Sequence, residues 1–208
     1  MAKGFDTTEN CGSQAAAIKT AGYDFVARYL SQSSWKRIGA NEANQLTTAG
    51  LGIVLVYEDG PTGADYFSNG RGQVDAARAA QQALALDAPA DTAIYFAVDY
   101  DASNADLSGP INQYFQGVNS GLSSFAGSGN PRYRAGVYGS GATCMAITGA
   151  GLASLGWLAQ ATGWSGHGAY TGWAISQGMP GTACGMSVDP DTAVDGNYGA
   201  IPGAAGTE

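Results

Sequence analysis

Short apolar runs recur along the chain with helical patterns between them. They lie near residue 5 and at 24–30, 52–57, 93–98, 134–138, 156–160, 173–177 and 192–196. Parallel strands need a long crossover, usually a helix, so this alternation predicts a parallel sheet. Eight runs favour closure of that sheet, although an open doubly wound sheet remains the alternative.

The helical patterns are clearest in the middle of the chain. In residues 106–125, apolar side chains repeat at three and four from Leu107 to Phe125, and residues 73–87 are rich in alanine. The last third of the chain leaves little room for full helices between the predicted strands. We therefore predict an α/β fold with one domain over residues 1–208: a (β/α)₈ TIM-like barrel with shortened helices in the C-terminal third.

The charge balance excludes some functions. Nine basic and seventeen acidic residues give a net charge of −8, which repels phosphate backbones, so we expect no nucleic-acid partner. No apolar stretch is long enough for a membrane span, and the first residues of the chain as given lack a signal peptide. We expect a monomer that is secreted, or delivered to the cell wall or periplasm by other machinery.

The sequence contains little to hold a cofactor. Cys11, Cys144 and Cys184 have no C-x-x-C spacing, and His167 is the only histidine. We expect neither a cofactor nor a metal site built from these residues, while one disulfide among the cysteines stays possible. A site in which clustered acids bind Ca²⁺ or Mg²⁺ through oxygen ligands is a further alternative.

The strand at residues 93–98 carries the clearest chemical signal. Side chains alternate between faces along a strand, so Ile94, Phe96 and Val98 should pack on helices while Asp99 and Asp101 share the opposite face. Their Cα atoms would be about 6.6 Å apart, a spacing compatible with the paired carboxyl groups of glycosidases.

Acids also follow other predicted strands. Asp6, Glu58 and Asp195 each come at the carboxyl end of an apolar run, and the active site of a barrel enzyme lies at that face. Clustering raises some carboxyl pKa values and so can create a general acid. Arg28, on the second strand, could hold one acid ionised, or could form an ion pair that only preserves structure.

Aromatic and amide side chains complete the predicted site. Sugar rings stack on flat aromatic side chains, while amides and hydroxyls bind their polar edges. Gln160 and Gln177 end apolar strands and are candidate donors to a substrate. The aromatic candidates, for each of which core packing is the competing role, are Tyr57, Tyr138, Trp157, Trp164 and Trp173.

Segments spread over nearly the whole chain resemble a known family. GFDTT, AGYDFVARYLS, NEANQLTTAGLGIVLVYE, IYFAVDYDAS, GVYGS, ATGWSG and VDGN occur in this order. Together they resemble a bacterial glycoside-hydrolase-like barrel family, domain-of-unknown-function family 1906, which is related to family-25 lysozymes. The resemblance implies a barrel in which Asp6, Asp99, Asp101 and Asp195 match the acids around the lysozyme groove, with Glu58 added as this family's own.

The resemblance also implies a function, although this chain differs from the related lysozymes at one acid. Family-25 lysozymes carry Asp-x-Glu on the fourth strand with the glutamate as general acid, whereas this chain has Asp99-Tyr100-Asp101. We expect muramidase-like hydrolysis of peptidoglycan, with Asp101 or Glu58 protonating the leaving oxygen and Asp99 steadying the oxocarbenium ion or the substrate's acetamido group. Asp6 and Asp195 would orient the sugar. The alternative is a non-catalytic barrel that binds cell-wall carbohydrate.

Overall fold

The computed structural model describes residues 1–194 and 196–204. Its strands are β1 (Ala2–Asp6), β2 (Phe25–Leu30), β3 (Gly52–Tyr57), β4 (Ala93–Ala97), β5 (Arg134–Gly139), β6 (Leu155–Leu158), β7 (Ile175–Gln177), β8 (Gly181–Ala183) and β9 (Met186–Ala193). Its α-helices are α1 (Ala15–Thr20), α2 (Ala40–Thr48), α3 (Asn69–Leu84), α4 (Asn104–Ser108), α5 (Pro110–Gly127) and α6 (Gly141–Gly149). Short 3₁₀ turns lie at Gly12–Gln14 and Ala64–Tyr66.

The sheet closes into a barrel. Strands β1 to β7 are parallel neighbours in chain order, and β9 pairs antiparallel with both β7 and β1. Within the described residues, the barrel therefore has eight strands, and β8 is an extra strand in a hairpin with β9. Closure satisfies the backbone groups that an open edge would leave unpaired.

The last barrel strand differs from the prediction in position and direction. The sequence predicted a parallel strand at residues 192–196, whereas β9 covers Met186–Ala193 and runs antiparallel to its neighbours. The hairpin with β8 reverses the chain, because the three residues between β7 and β8 are too few for a helical crossover. Residues 159–174, between β6 and β7, likewise form turns instead of a helix.

Alternating side chains divide the interior into two cores. The inner core fills the barrel with Phe25, Ala27, Val54, Val56, Ala93, Tyr95, Ala97, Trp157, Ile175 and Ala193. The outer core lies between the strands and the helices and includes Ile94, Phe96 and Val98. The predicted division of β4 into a helix-facing and a barrel-facing side is therefore confirmed.

The described residues contain neither a disulfide nor a helix that could span a membrane. In the described part of the chain Cys11, Cys144 and Cys184 are free thiols, the first two buried and the third exposed. Among the helices described above, none combines the length and the apolar character needed to cross a membrane.

Glycines allow α3 and α5 to pack closely. A Cβ at Gly72 would collide with the carbonyl oxygen of Tyr114, and one at Gly117 would collide with that of Asn69. On α5, a Cβ at Gly121 would lie 2.8 Å from the carbonyl oxygen of Gln73. Since backbone atoms cannot move aside as a flexible side chain can, these positions require glycine.

We predict opposite effects for two glycines on the same helix. Gly72→Ala should lower the free energy of unfolding by about 1–3 kcal/mol, because its methyl group overpacks the α3–α5 contact. Gly70→Ala, whose added Cβ has no neighbour within 4 Å, should raise it by roughly 0.4–1 kcal/mol by restricting the unfolded chain. Urea unfolding of both variants measures the difference, and equal effects would contradict the close contact.

Candidate functional site

A small cavity opens where the parallel strands end and β9 begins. Its volume is about 190 Å³, smaller than the roughly 300–1,000 Å³ of pockets for drug-sized ligands. It is lined by Asp6, Tyr29, Val56, Glu58, Asp99, Tyr138, Trp157, Gln160, Gln177 and Asp189. The barrel thus brings together acids that are far apart in sequence.

Asp6, at the end of β1, is held by hydrogen bonds from two strands. Tyr29 donates its hydroxyl to Asp6 Oδ1 at 2.8 Å, and Gln177 Nε2 donates to Oδ2 at 2.7 Å. The amide oxygen of Gln177, Oε1, accepts hydrogen bonds from the Tyr138 hydroxyl at 3.0 Å and from the Gln160 backbone N–H at 3.2 Å. These bonds fix the orientation of the Gln177 amide and the Asp6 carboxyl.

The environment of Asp6 favours its protonated form. Burial raises its pKa from 3.8 to about 7, and the negative charges of Asp189 and Glu58 act in the same direction. The hydrogen bonds from Gln177 and Tyr29 oppose this shift because they stabilise the carboxylate. Burial is the larger effect.

Glu58 follows β3 and forms an ion pair inside the site. Lys36, on the loop between β2 and α2, donates from Nζ to Glu58 Oε1 at 2.8 Å. The same ammonium lies 5.0 Å from the centre of the Tyr29 ring, within range of a cation–π interaction. Lys36 therefore places a positive charge beside the acids.

Asp99 has a different environment. Burial and the neighbouring Glu58 carboxylate raise its pKa, and the Lys36 ammonium opposes them. Its backbone N–H donates to the carbonyl oxygen of Pro61 at 2.9 Å, which fixes the start of the loop after β4. A protonated Asp99 facing the cavity could donate its proton to a bound ligand.

Two acids of β9 were missed in the sequence. Asp189 pairs with Asp6 across the strands and lines the cavity, and burial raises its pKa. Asp191 is buried, accepts from the Trp157 indole N–H at 3.0 Å through Oδ1, and has no partner at Oδ2 among the described residues. Burial, followed by the charge of Asp6, raises the pKa of Asp191 well above its usual value.

The alternating pattern of the β9 sequence could have revealed these two acids. In SVDPDTA, Asp189, Asp191 and Ala193 alternate with residues on the other face, as the acids and alanine of β4 do. Tyr29 was also missed, although it shares a face with Ala27 and Phe25 on β2.

The structure places the predicted catalytic residue Asp101 apart from the cavity. Asp101 is exposed and accepts hydrogen bonds from the Ser165 N–H at 2.9 Å and the Ser165 hydroxyl at 3.0 Å. It leaves the cavity because β4 has already ended at Ala97, so strand alternation no longer directs its side chain. Asp195, which was also predicted to be catalytic, lies outside the described residues.

Arg28 and Tyr57 lie on the helix-facing side of the sheet. Arg28 is buried and pairs with Glu42 of α2, through Nε at 2.7 Å and Nη2 at 3.1 Å. Tyr57 donates to Asp59 at 2.7 Å and packs against helices. Both residues occupy outward positions of their strands, so neither lies at the cavity where it was predicted.

The remaining aromatic and amide candidates also divide between the cavity wall and the outer core. Tyr138, Trp157, Gln160 and Gln177 lie at the cavity wall, and their role in binding stays a prediction. Trp173 is half-buried and packs against the outer core instead. No cluster of three or more His, Cys, Asp or Glu in the described ranges has an arrangement that could hold a metal ion.

The raised pKa of Asp6 predicts a pH-dependent stability. The folded state keeps a proton that the unfolded state releases, so this contribution is complete below about pH 3.8 and is lost as the pH rises through about 7. The free energy of unfolding should therefore fall between about pH 4 and pH 7, and less steeply in Asp6→Asn. Denaturant unfolding across this range tests it. Asp87→Asn, which removes an exposed carboxyl outside the cavity, is the control and should keep the wild-type slope.

The chain has long relatives in Bacillus subtilis (strain 168). It is 32% identical to FadG over 178 residues, covering 82% of this chain and 30% of FadG. It is 33% identical to YbfG over 204 residues, covering 92% of this chain and 28% of YbfG. The chain thus spans less than a third of these proteins.

Solved structures share the fold. The Tat-secreted protein Rv2525c of Mycobacterium tuberculosis, in complex with L-tartrate, matches with a TM-score of 0.80 at 24% identity, over 96% of this chain and 98% of that one. The autolysin LytC of Streptococcus pneumoniae, in complex with a synthetic peptidoglycan ligand, matches with a TM-score of 0.57 at 14% identity. The match covers 91% of this chain and 46% of the LytC chain. The family model of the Rv2525c-like, glycoside hydrolase-like domain matches residues 16–192. The chain therefore belongs to the Rv2525c-like family of glycoside hydrolase-like domains.

Proposed function

We propose that this chain hydrolyses glycosidic bonds of bacterial cell-wall polysaccharide, with peptidoglycan as the substrate class. The observation that carries the proposal is that acids in different environments, Asp99 and Glu58, border one cavity at the carboxyl end of the barrel. Glycosidases need one carboxyl group that donates a proton and another that is charged.

Asp99 is the proposed general acid. Its pKa is raised by burial and by the charge of Glu58, so it keeps its proton to a higher pH than an exposed aspartate. No described side chain donates a hydrogen bond to its carboxyl group, which leaves that group available to the glycosidic oxygen. This revises the sequence-based assignment, in which Asp99 had the role of stabiliser.

Glu58 is the proposed charged partner. Its ion pair with Lys36 at 2.8 Å keeps a carboxylate at the cavity, where it would stabilise the oxocarbenium ion or activate water. Asp6, held by Tyr29 and Gln177, would bind a sugar hydroxyl or acetamido group. A cavity of about 190 Å³ suits one sugar unit, with the rest of the glycan along the rim.

The substrate class is supported by the family and by its neighbours. Family-25 lysozymes were the resemblance found in the sequence, and LytC shares the barrel and was crystallised with a peptidoglycan ligand. Rv2525c is Tat-secreted, which supports an exported location for this chain as well.

One observation favours a second function, non-catalytic binding of cell-wall carbohydrate. Asp101 matches the general acid of family-25 lysozymes in sequence, yet its carboxyl group is bound by Ser165 and lies outside the cavity lining. A barrel that had lost its proton donor could still bind sugar through Asp6, Gln177 and the aromatic wall.

Substitutions at the two acids test catalysis. Asp99→Asn and Glu58→Gln should each lower the release of reducing ends from purified cell walls by about 10²–10⁴-fold. Asp101→Asn, the matched control, should stay within about tenfold of wild type, since Asp101 contacts Ser165 and not the cavity. Loss of activity in Asp101→Asn alone would assign the proton to Asp101, and wall binding without any release by wild type would favour the second function.

The charge of Lys36 predicts a shift in the pH profile. Lys36 lowers the pKa of Asp99, so Lys36→Met should raise that pKa and move the alkaline limb of kcat/KM to higher pH. Lys36→Arg keeps the charge and should keep the limb near its wild-type position. An unchanged limb in Lys36→Met would contradict Asp99 as the titrating acid.

A further inference from the structure

Trp35 is unusually exposed for its size. Its relative exposure is 72%, whereas Trp157 is 1% exposed. It lies in the turn at residues 34–36, on the loop between β2 and α2. An indole left in water gives up the stabilisation that burial of a large apolar side chain provides.

Hydrogen bonds hold the loop that carries Trp35. The Ser31 hydroxyl and the Gln32 N–H both donate to Asp59 Oδ1. At its other end, the Ile38 N–H donates to the carbonyl oxygen of Tyr29 at 3.0 Å. The turn is therefore fixed to β2 and to the loop after β3, and Trp35 is presented in a defined place.

That place is connected to the cavity wall through the neighbouring residue in the chain. The next residue, Lys36, is buried and reaches Glu58 at 2.8 Å, and adjacent Cα atoms are only about 3.8 Å apart. Trp35 is thus separated from the Glu58 carboxylate by one lysine side chain and one peptide unit. A glycan with one unit in the cavity would reach this rim with a neighbouring unit.

The surroundings of Trp35 suit a sugar better than a protein or a membrane. Gln32, Ser33 and Ser34 are exposed beside it, and a sugar ring needs one flat face together with polar groups for its hydroxyls. Within the described chain, the other large exposed apolar residues, Met1, Val74, Leu84, Met145 and Met179, lie on other segments. A protein hot spot would need packed apolar neighbours, and the net charge of −8 repels anionic lipid.

We infer that Trp35 forms a second sugar-binding subsite, in which its indole face stacks on the glycan unit next to the one in the cavity. The inference rests on the proposed glycan-binding role of the cavity, but it does not require hydrolysis. It makes the β2–α2 loop bifunctional: Lys36 sets the charge at the acids and Trp35 binds the extended chain.

Binding measured by calorimetry tests this subsite in the inactive Glu58→Gln background. The probes are β-1,4-linked N-acetylglucosamine as a disaccharide and as a hexasaccharide. Trp35→Ala should weaken binding of the hexasaccharide by about three- to tenfold, as expected for loss of an aromatic contact, and leave the disaccharide nearly unchanged. Trp35→Phe should restore most of the affinity, and Val74→Ala, at an exposed position of α3, should bind both probes like the parent.

The outcomes separate the inference from the proposed function. Equal hexasaccharide affinity in Trp35→Ala and the parent overturns the subsite and leaves hydrolysis standing. Chain-length-dependent loss in Trp35→Ala, together with no reducing ends released by wild type, supports the subsite and refutes hydrolysis. If neither the wild type nor the Glu58→Gln parent binds either saccharide, and the wild type releases no reducing ends from cell walls, both are overturned.

Discussion

The antiparallel pairing of β9 with both β7 and β1 is the constraint on which the rest of the structure depends. It closes the barrel, and its direction decides which acids reach the cavity. Because β9 enters at the carboxyl end of its parallel neighbours, Asp189 comes opposite Asp6, and Asp191 lies one step deeper against Trp157. If the strand in this position were parallel to its neighbours, its C-terminal residues would lie at the cavity. In the antiparallel β9, the N-terminal half lies there instead.

Closure also creates the electrostatic character of the site. Asp6, Asp189 and Asp191 are gathered in a region where burial raises each pKa, while Lys36 adds a positive charge on the side of Glu58 and Asp99. The acids are therefore not equivalent. Burial raises the pKa of the acids on β1 and β9, whereas beside Lys36 an Asp99 carboxyl with a raised pKa lies near Glu58, which forms an ion pair. Such a division of roles is what acid catalysis in a single cavity requires.

The sequence predicted some of these features and not others, for physical reasons. Alternation along β4 correctly separated Ile94, Phe96 and Val98 from the barrel-facing side, because a regular strand fixes the direction of each side chain. The same alternation is identical for parallel and antiparallel strands, so it could not reveal that β9 is reversed, and Asp189 was overlooked. Arg28 was assigned to the site by its place at the end of a strand and Tyr57 by its aromatic ring. The face of a strand, however, decides whether a side chain points to the cavity or to the helices.

The position of Asp101 follows from the irregular last third of the chain. Residues 159–174 form turns where a full repeat would have a helix, and this segment approaches the loop after β4 closely enough for Ser165 to bind the Asp101 carboxyl through two hydrogen bonds. The backbone of Ala142, at the start of α6, also donates to the carbonyl oxygen of Ser165 at 2.8 Å. Asp101 thus anchors this segment through both of its carboxylate oxygens. The missing helix and the displaced acid are therefore one structural change, and it is the reason why the proposed catalytic roles are given to Asp99 and Glu58.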